Sequence, residues 1–339
     1  MVRVEDTDKT RSKKEYEDDM LDNLAWLGLT RNGELWHQSE RSDVYKKYLH
    51  KLIDDGKAYI SIETEGENKE VVRFKNPNVV LTFEDIIRGS VTFDTTELGD
   101  FIIARNINEP IYHLAVVVDD FEMGITHVIR GEDHVSNTPR QILIQEAIGA
   151  PRPTYAHLPL MLAVDKSKLS KRKHGEAVSL RFYRQRGYLP AAVLNFLALT
   201  GWNPGTEQEI LSLDDLIAQF KLENVQKGGA VFNVEKLDWI NREYIKLLSP
   251  EERTKLVREF APTEVSDDVL IKLESVIVDR ISAFGEIKDL FAAGEFDYVL
   301  SEPVYEAEKL VWKTASKEET VGHLKKAIEL LSNLPNEAI

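Results

Sequence analysis

Two apolar runs between helical patterns constrain the fold of this 339-residue chain more than any other feature of its sequence. Residues 115–118 read Ala-Val-Val-Val, and residues 125–130 read Ile-Thr-His-Val-Ile-Arg, with Asp119 and Asp120 between them. Apolar runs without alternation are typical of strands buried on both faces, and such strands form parallel sheets covered by helices. We therefore predict an α/β domain in which both runs are strands, joined by a turn at the two aspartates.

Helical and β-rich segments precede this predicted sheet. Residues 12–28 and 43–55 carry apolar side chains at helical spacing, and Gly28 and Gly56 mark the C-terminal ends of the two predicted helices. Ser12 and Glu15 predict a capping box at the start of the first helix. Residues 59–105 instead contain short apolar runs separated by turn residues, which predicts a β-rich insertion.

The remaining chain predicts one further helix and strand, and then helices alone. A helix opens at Asn137 with a proline in its first turn and stops at Gly149, and an apolar strand follows at 158–163. From residue 176 onward the apolar spacing is helical, with breaks near Gly201 and Gly228.

Composition excludes several kinds of site. The chain has no cysteine, which excludes disulfides and thiolate metal sites, and its eight histidines form no pair at metal-ligand spacing. No apolar run reaches the ~20 residues that a membrane helix needs, and the first eight residues lack the apolar stretch of a secretory signal. We therefore expect a soluble cytoplasmic protein without structural zinc.

A lysine-rich segment is the sharpest chemical feature of the sequence. Although the chain has a net charge of −15, residues 165–174 contain five cations within ten residues. A solvated loop is the ordinary interpretation of such a run. However, Lys168, Ser170 and Lys171 on one flexible turn could surround a triphosphate and neutralise the charge that grows as pyrophosphate leaves. Because the segment follows the predicted sheet and precedes helices, it is placed to act as a mobile flap.

Residues 168–172, Lys-Leu-Ser-Lys-Arg, resemble the second signature of the class I aminoacyl-tRNA synthetases. Other strings resemble the bacterial glutamyl-tRNA synthetases in the same order: Arg-Val-Glu-Asp-Thr-Asp at 3–8, Val-Val-Val-Asp-Asp at 116–120, Thr-His-Val-Ile-Arg-Gly-Glu-Asp-His at 126–134, Asn-Thr-Pro-Arg at 137–140, Gly-Tyr-Leu-Pro at 187–190, and Lys-Leu-Asp-Trp-Ile-Asn at 236–241. The resemblance implies an enzyme that activates L-glutamate with ATP and Mg²⁺ and transfers it, through glutamyl-adenylate, to the terminal 2′-hydroxyl of tRNA(Glu).

The resemblance also implies a domain organisation. A class I Rossmann-like parallel sheet would occupy residues 1–56 and 110–160. A β-rich insertion at 57–109 would bind the tRNA acceptor end without the cysteine-rich zinc knob of some members. The signature loop and stem-contact domain would occupy 161–245, and a partial helical anticodon-binding domain 246–339. The protein would act as a monomer.

Roles for individual residues follow from the same resemblance. Glu5 would contact the ammonium group of glutamate, while Tyr112 and Arg130 would hold the rest of that substrate, since a guanidinium can grip a carboxylate through two parallel bonds. The residues implied to bind ATP are Lys168, Leu169, Ser170, Lys171, Arg172, Asp133 and Met161. Of these, Lys171, assisted by Lys168 and Ser170, would stabilise phosphate charge in the transition state. Asp8 and Arg11 would meet the tRNA acceptor end, and no residue matches a metal ligand.

Simpler roles compete with these assignments. Glu5 and Asp8 could be helix-entry carboxylates, Tyr112 could be a core residue, and Arg130 could form a structural ion pair. The chain also begins after the position of the family's His-Ile-Gly-His signature and ends within the predicted anticodon-binding region. We therefore expect poor activity from the polypeptide as given. A non-catalytic tRNA-binding fragment is one alternative function, and a glutaminyl or non-discriminating relative is another.

Overall fold

The structure, a computed structural model, describes residues 1–8, 12–63, 70–301 and 306–333. A mixed α/β region extends to about residue 162, and a helical region follows it. The predicted α/β class, with parallel strands followed by helices, is confirmed. Within the described ranges, each helix is too short or too polar to cross a membrane.

The α/β region contains short strands and four helices within its described residues. Its strands are β1 (Val2–Val4), β2 (Leu35–His37), β3 (Ala58–Ile62), β4 (Glu70–Phe74), β5 (Val80–Asp85), β6 (Gly89–Asp94), β7 (Phe101–Asn106), β8 (Glu109–Pro110), β9 (His127–Gly131), β10 (Thr154–Leu158) and β11 (Met161–Leu162). Its helices are α1 (Lys14–Trp26), α2 (Ser42–Asp54), α3 (Tyr112–Glu122) and α4 (Thr138–Ile148).

These strands form separate sheets. β9, β10 and β5 are parallel neighbours, and β6 pairs with β5 as an antiparallel hairpin. β1 and β2 form a parallel pair, while β3, β4, β7 and β8 form an antiparallel sheet. The hairpin of β5 and β6 falls within the predicted insertion at 57–109, yet it shares a sheet with β9 and β10 of the predicted catalytic domain. The boundaries of the four predicted domains stay a prediction.

One apolar core holds the sheets and helices of this region together. Leu49 and Leu52 of α2, Val118 of α3, and Ile142 and Ile144 of α4 are all fully buried in it. Removing such side chains from water is the main force that fixes the helices on the strands.

The strand predicted at 115–118 is wrong, because these residues lie in the middle of α3. All residues from 114 to 119 are buried, since α3 packs against α2, α4 and β7. A helix covered on several sides has no polar face, and its short apolar run is then indistinguishable from a buried strand by periodicity. The predicted turn at the two aspartates is wrong for the same reason.

Other predicted boundaries differ in their details. α4 begins at Thr138 and ends before Gly149, whose φ of +80° is the left-handed conformation that glycine adopts readily. The capping box predicted at Ser12 is wrong, because α1 begins at Lys14 without a side-chain cap. The strand predicted at 158–163 is observed as the end of β10 and the separate short strand β11.

The C-terminal region is mainly helical. Its helices are α5 (Lys171–His174), α6 (Leu180–Gln185), α7 (Pro190–Leu199), α8 (Leu213–Gln219), α9 (Val234–Leu247), α10 (Pro250–Phe260), α11 (Asp267–Arg280), α12 (Ile287–Ala292), α13 (Asp297–Leu300) and α14 (Lys317–Ser332). The short strand β12 (Ala230–Val231) pairs with β11 and so attaches this region to the α/β region. Gly229 allows the close approach, because a Cβ there would lie 2.4 Å from Cδ1 of Leu162.

A buried carboxylate connects α3 to the start of α2. Asp119 is fully buried and accepts hydrogen bonds from Nε2 of Gln38 at 2.9 Å, Nε of Arg41 at 2.7 Å and the hydroxyl of Tyr45 at 2.8 Å. Burial and the neighbouring Asp119 carboxylate raise the pKa of Tyr45 above its usual range, so the tyrosine keeps its proton and donates. A charge at this depth is tolerated only because each of these donors is present.

The same carboxylate group extends to the first strand. Arg3 of β1 places Nε 3.9 Å from Asp119 and donates from NH1 to Asp120 at 2.8 Å. Its NH2 donates to Glu5 at 3.1 Å. β1 is therefore tied to α3 by charge as well as by packing.

Replacing Asp119 with alanine removes the shared acceptor and leaves Arg41 and Tyr45 as unpaired donors in a site closed to water. We expect the free energy of unfolding, measured by urea denaturation, to fall by about 3 to 5 kcal/mol.

The exposed Asp55 provides the matched control. Its ion pair with Lys51 spans one helical turn at 2.6 Å in solvent, so Asp55→Ala should cost less than about 0.5 kcal/mol. Similar losses for the Asp119 and Asp55 variants would contradict a structural role for the buried carboxylate.

Candidate active site

Arg130 lies near the carboxyl end of β9, the edge of a parallel sheet at which ligands commonly bind. Its Nε donates to Nε2 of His157 at 3.2 Å, and its NH2 donates to Oγ1 of Thr138 at 2.8 Å and to the backbone oxygen of His134 at 3.5 Å. Among the described residues, no carboxylate forms an ion pair with Arg130. The partly buried guanidinium is thus held in place by neutral groups, and its charge is left for a ligand.

Tyr112 and Glu5 lie in the same neighbourhood as Arg130. The hydroxyl of Tyr112, at the start of α3, lies 3.3 Å from Nδ1 of His134. Burial raises the pKa of Tyr112, the positive charge of Arg130 opposes this rise, and the negative charge of Glu5 adds to it. Tyr112 and Arg130 therefore share one electrostatic environment, to which Glu5 contributes.

A buried pair behind Arg130 is not indicated by the sequence. Nδ1 of His157 lies 2.5 Å from Oδ2 of Asp85, and both side chains are fully buried. Oδ1 of Asp85 accepts backbone N–H groups from Ile87 at 3.0 Å, Arg88 at 2.9 Å and His157 at 3.2 Å. Burial acts to raise the pKa of Asp85, but these hydrogen bonds outweigh it and hold the pKa below the usual value. Asp85 is therefore a carboxylate that can only accept hydrogen bonds.

Lys168 connects the lysine-rich segment, residues 165–174, to the neighbourhood of Arg130. Its Nζ lies 2.9 Å from Oδ2 of Asp133, three residues beyond Arg130, and this bond lowers the pKa of Asp133. The backbone N–H of Leu169 donates to the carbonyl of Met161 at 3.0 Å. The structure thus brings together four of the residues predicted to bind ATP at one edge of the α/β region.

Asp165 folds the lysine-rich segment onto itself. Its carboxylate accepts from Nζ of Lys173 at 2.8 Å and from the backbone N–H and hydroxyl of Ser167 at 2.9 and 2.6 Å. The bond from Lys173, together with those from Ser167, holds the pKa of Asp165 well below its usual range. The carboxylate therefore stays charged and keeps the segment compact.

The other predicted phosphate-binding residues lie at the start of α5. The backbone N–H of Ser170 donates to Nδ1 of His174 at 3.2 Å, and Arg172 is exposed. Lys171 is the first residue of α5, but its side chain lies outside the part of the chain that the structure describes.

The predicted acceptor-end residues are only partly described. Asp8 accepts at its backbone carbonyl from Ser12 at 3.0 Å and lines a cavity of about 190 Å³ together with Arg105 of β7. Arg11 lies outside the described residues.

A cavity of about 610 Å³ lies between α1 and the pair of β1 and β2. It is lined by polar groups that include Asp6, Glu17 and His37, but by none of the predicted site residues that the structure describes. Its volume therefore does not identify the site, which rests instead on the contacts around Arg130 and Lys168.

Comparison with protein families places the chain among the class I tRNA synthetases. A family model described as "tRNA synthetases class I (E and Q), catalytic domain" matches residues 1–70 and 61–239. The chain is 43% identical over 337 residues to the glutamate–tRNA ligase of Aquifex aeolicus, covering 84% of this chain and 71% of that protein. It is 38% identical over 377 residues to glutamate–tRNA ligase 1 of Caldanaerobacter subterraneus subsp. tengcongensis, covering 98% of this chain and 77% of that protein.

The chain is also similar to solved structures of glutamate–tRNA ligases. The chain resembles the crystal structure of a glutamate tRNA ligase from Elizabethkingia meningosepticum in complex with its amino acid, with a TM-score of 0.82 and 30% identity over 98% of this chain and 79% of that chain. It also resembles a glutamate-tRNA synthetase from Elizabethkingia anophelis, with a TM-score of 0.76 and 28% identity over 96% of this chain and 83% of that chain.

The histidine next to Tyr112 gives the site a dependence of stability on pH. His113 is largely buried, and its Nδ1 has no hydrogen-bond partner among the described residues. Burial, and then the positive charges of Arg140 and Arg130, lower the pKa of His113 to about 4. Because an unfolded histidine has a pKa of about 6.5, the unfolded chain binds more protons than the folded chain between these two values. The contribution of His113 to stability is therefore complete above pH ~6.5 and is lost as the pH falls towards 4.

We expect His113→Gln to remove this component of the pH dependence. Between pH 7 and pH 5, the free energy of unfolding of the wild-type chain should fall by roughly 2 kcal/mol more than that of the variant. Urea denaturation at the two pH values measures the difference. Equal losses in both proteins would show that His113 is not held neutral by its surroundings.

Proposed function

Because this chain belongs to the glutamate–tRNA ligase family of class I tRNA synthetases, we propose that it joins L-glutamate to tRNA(Glu) with ATP. In the first step a glutamate carboxylate oxygen attacks the α-phosphorus of ATP, which releases pyrophosphate and leaves glutamyl-adenylate. In the second step the 2′-hydroxyl of the terminal tRNA adenosine attacks the activated carbonyl and releases AMP. Neither step needs a covalent bond to the protein, so binding, orientation and fixed charge supply the catalysis.

The observation that carries this proposal is the partly buried Arg130, which has neutral partners and no carboxylate among the described residues. An anionic ligand would complete its environment, and a carboxylate fits the planar guanidinium in two parallel bonds. Glu5, a partly exposed carboxylate that pairs with Arg3, is suited to the substrate ammonium group. Arg130 thus matches one carboxylate of a free amino acid, and Glu5 matches its ammonium group.

Lys168 and its neighbours supply positive charge for the triphosphate. Lys168 and Asp133 are both exposed, with 58% and 42% of their side-chain surfaces accessible, so their ion pair is weak and can exchange for one with a phosphate oxygen. Ser170, Lys171 and Arg172 follow on the same turn. We assign these groups to the charge that develops on the departing pyrophosphate, with Asp133 and Met161 next to the adenosine.

Magnesium is assigned to the nucleotide and not to a protein site. Mg²⁺ commonly binds through one or two carboxylates together with substrate phosphates. The described residues contain no group of three or more His, Asp or Glu side chains that could hold a metal ion. We therefore propose that the ion is held largely by the phosphates of ATP, and no reaction step is derived from it.

The tRNA contacts form a further part of the proposal. Asp8, Arg11 and the neighbouring Arg105 would meet the acceptor end, and residues 246–339 would contact the anticodon arm. A monomeric state and a cytoplasmic location complete the proposal.

A glutamine-specific or non-discriminating enzyme is the second candidate, because the family description includes both the E and the Q enzymes. Arg130 favours glutamate, since an unpaired cation near the bound side chain stabilises a carboxylate more than a neutral amide. A non-catalytic tRNA-binding chain is distinguished by the assay below.

ATP–pyrophosphate exchange that depends on L-glutamate, measured with and without tRNA(Glu), tests the proposed reaction. We expect exchange with glutamate in the presence of tRNA and little with glutamine. No exchange with either amino acid under both conditions would contradict the proposed catalysis and leave tRNA binding alone.

Two variants separate the proposed roles within that assay. Arg130→Lys keeps the charge but loses the two-bond geometry, so the KM for glutamate should rise about 10-fold or more with the KM for ATP unchanged. Lys168→Ala should instead lower kcat, because it removes charge from the phosphates. The exposed Lys51→Ala is the control and should change neither parameter.

A further inference from the structure

We infer that Asp85 and His157 are positioning residues that fix the direction of Arg130 and thereby the preference of the site for a carboxylate over an amide. The inference rests on the proposed function, since it takes Arg130 as the group that binds the side-chain carboxylate of glutamate, which is an amide in glutamine. Neither residue lies in the sequence strings quoted above for the resemblance.

Arg130 is held at two places on its guanidinium plane. Nε donates to Nε2 of His157 at 3.2 Å, and NH2 donates to Oγ1 of Thr138 at 2.8 Å. Cζ lies over the ring of Tyr155, 5.9 Å from its centre. A guanidinium has five N–H donors, and two parallel N–H bonds must come from two different nitrogens. With Nε–H and one N–H of NH2 engaged in this way, the parallel pair left for a ligand is one N–H of NH1 and the second N–H of NH2, whose nitrogen is 3.5 Å from the backbone oxygen of His134. The two bonds therefore fix where the free donors point.

The bond from Nε of Arg130 to Nε2 of His157 depends on the tautomer of His157. Asp85 is ionised and can only accept, so the 2.5 Å contact between its Oδ2 and Nδ1 requires the proton to lie on Nδ1. Nε2 is then left with a lone pair that can accept from Arg130. Burial and the positive charge of Arg130 lower the pKa of His157 and outweigh the opposing effect of Asp85, so the ring stays neutral.

Free N–H donors of Arg130 that point in a fixed direction can distinguish glutamate from glutamine. A carboxylate presents two acceptor oxygens to a planar fork, whereas an amide presents one acceptor and one NH2 donor. With the guanidinium held in one orientation, an amide would leave a donor facing a donor in a partly buried site, which is costly. If Arg130 were free to rotate, it could turn a single N–H towards the amide oxygen and the discrimination would weaken.

The fold makes this arrangement possible through strand pairing. β5 and β10 are parallel neighbours with Tyr155 opposite Asp85, which sets the carboxylate beside the ring of His157 two residues further along β10. The two partners lie 72 residues apart in the chain. Their interaction is therefore a product of the sheet and not of a local motif.

Asp85→Asn is the sharpest test, because it changes one bond and keeps the others. The amide oxygen can take the place of Oδ1 and accept the same three backbone N–H groups, so the hairpin keeps its contacts. The amide nitrogen replaces Oδ2 and donates to Nδ1 of His157, which moves the ring proton to Nε2. That proton then faces Nε–H of Arg130, and the bond that orients Arg130 is lost.

We expect isothermal titration of the full chain to show L-glutamate binding weakened about 10-fold or more in Asp85→Asn, with the affinity for ATP unchanged. The ratio of affinities for glutamate over glutamine should fall as well. The ¹⁵N NMR signals of the His157 ring should change from the Nδ1–H to the Nε2–H tautomer, which reports on the network without any substrate.

Two substitutions at position 157 serve as a matched pair. His157→Gln places an amide oxygen near the former Nε2 and can still accept from Arg130, whereas His157→Asn places its amide near Nδ1 and reaches only Asp85. Glutamate affinity should stay within about 3-fold of wild type for His157→Gln and fall about 10-fold or more for His157→Asn.

Three outcomes would overturn the inference. Wild-type glutamate affinity in Asp85→Asn with a switched tautomer would show that the direction of Arg130 does not matter. Equal losses of glutamate and ATP affinity would show a general effect on the fold. A wild-type chain that binds no glutamate would instead refute the proposed function, and the inference with it.

Discussion

A buried carboxylate, Asp119, fixes the relative positions of the segments that form the site. It lies in α3, accepts from Arg41 at the start of α2, and approaches Arg3 of β1. Arg3 also pairs with Glu5, while Tyr112 begins the helix that carries Asp119. Because a fully buried charge cannot lose its partners without a large cost, β1 and α3 are held together, and the proposed amino-acid site depends on this cluster.

The two sides of the site differ in how firmly they are held. Arg130 is bound by a buried histidine and threonine, whereas Lys168 is bound by an exposed ion pair that solvent weakens. Rigid donors suit the recognition of one acid among similar ones. An exposed lysine on a folded-back loop suits a triphosphate whose charge changes during the reaction. The difference in burial thus agrees with the proposed division between amino-acid selection by Arg130 and phosphate binding by Lys168.

The sequence predicted the α/β class correctly and named candidate site residues, but it misassigned one of the elements that carry them. Tyr112, Arg130 and Glu5 lie in one neighbourhood, as the resemblance implied, while their roles remain a proposal. The run at 115–118 was misassigned to a strand, because a helix buried on several sides loses the polar face by which helices are recognised. The pair of Asp85 and His157 could not be predicted at all, since 72 residues separate the partners and only the pairing of β5 with β10 brings them together.

One ligand should touch both the lysine-rich loop and Arg130, and a crystal structure of the chain with a non-hydrolysable glutamyl-adenylate analogue tests this directly. We predict a carboxylate of the glutamyl group about 3 Å from the guanidinium nitrogens of Arg130. We also predict the phosphate mimic beside residues 168–172 and the adenosine next to Asp133 and Met161. An analogue bound with its glutamyl group away from Arg130, or with its adenosine away from that loop, would contradict the account.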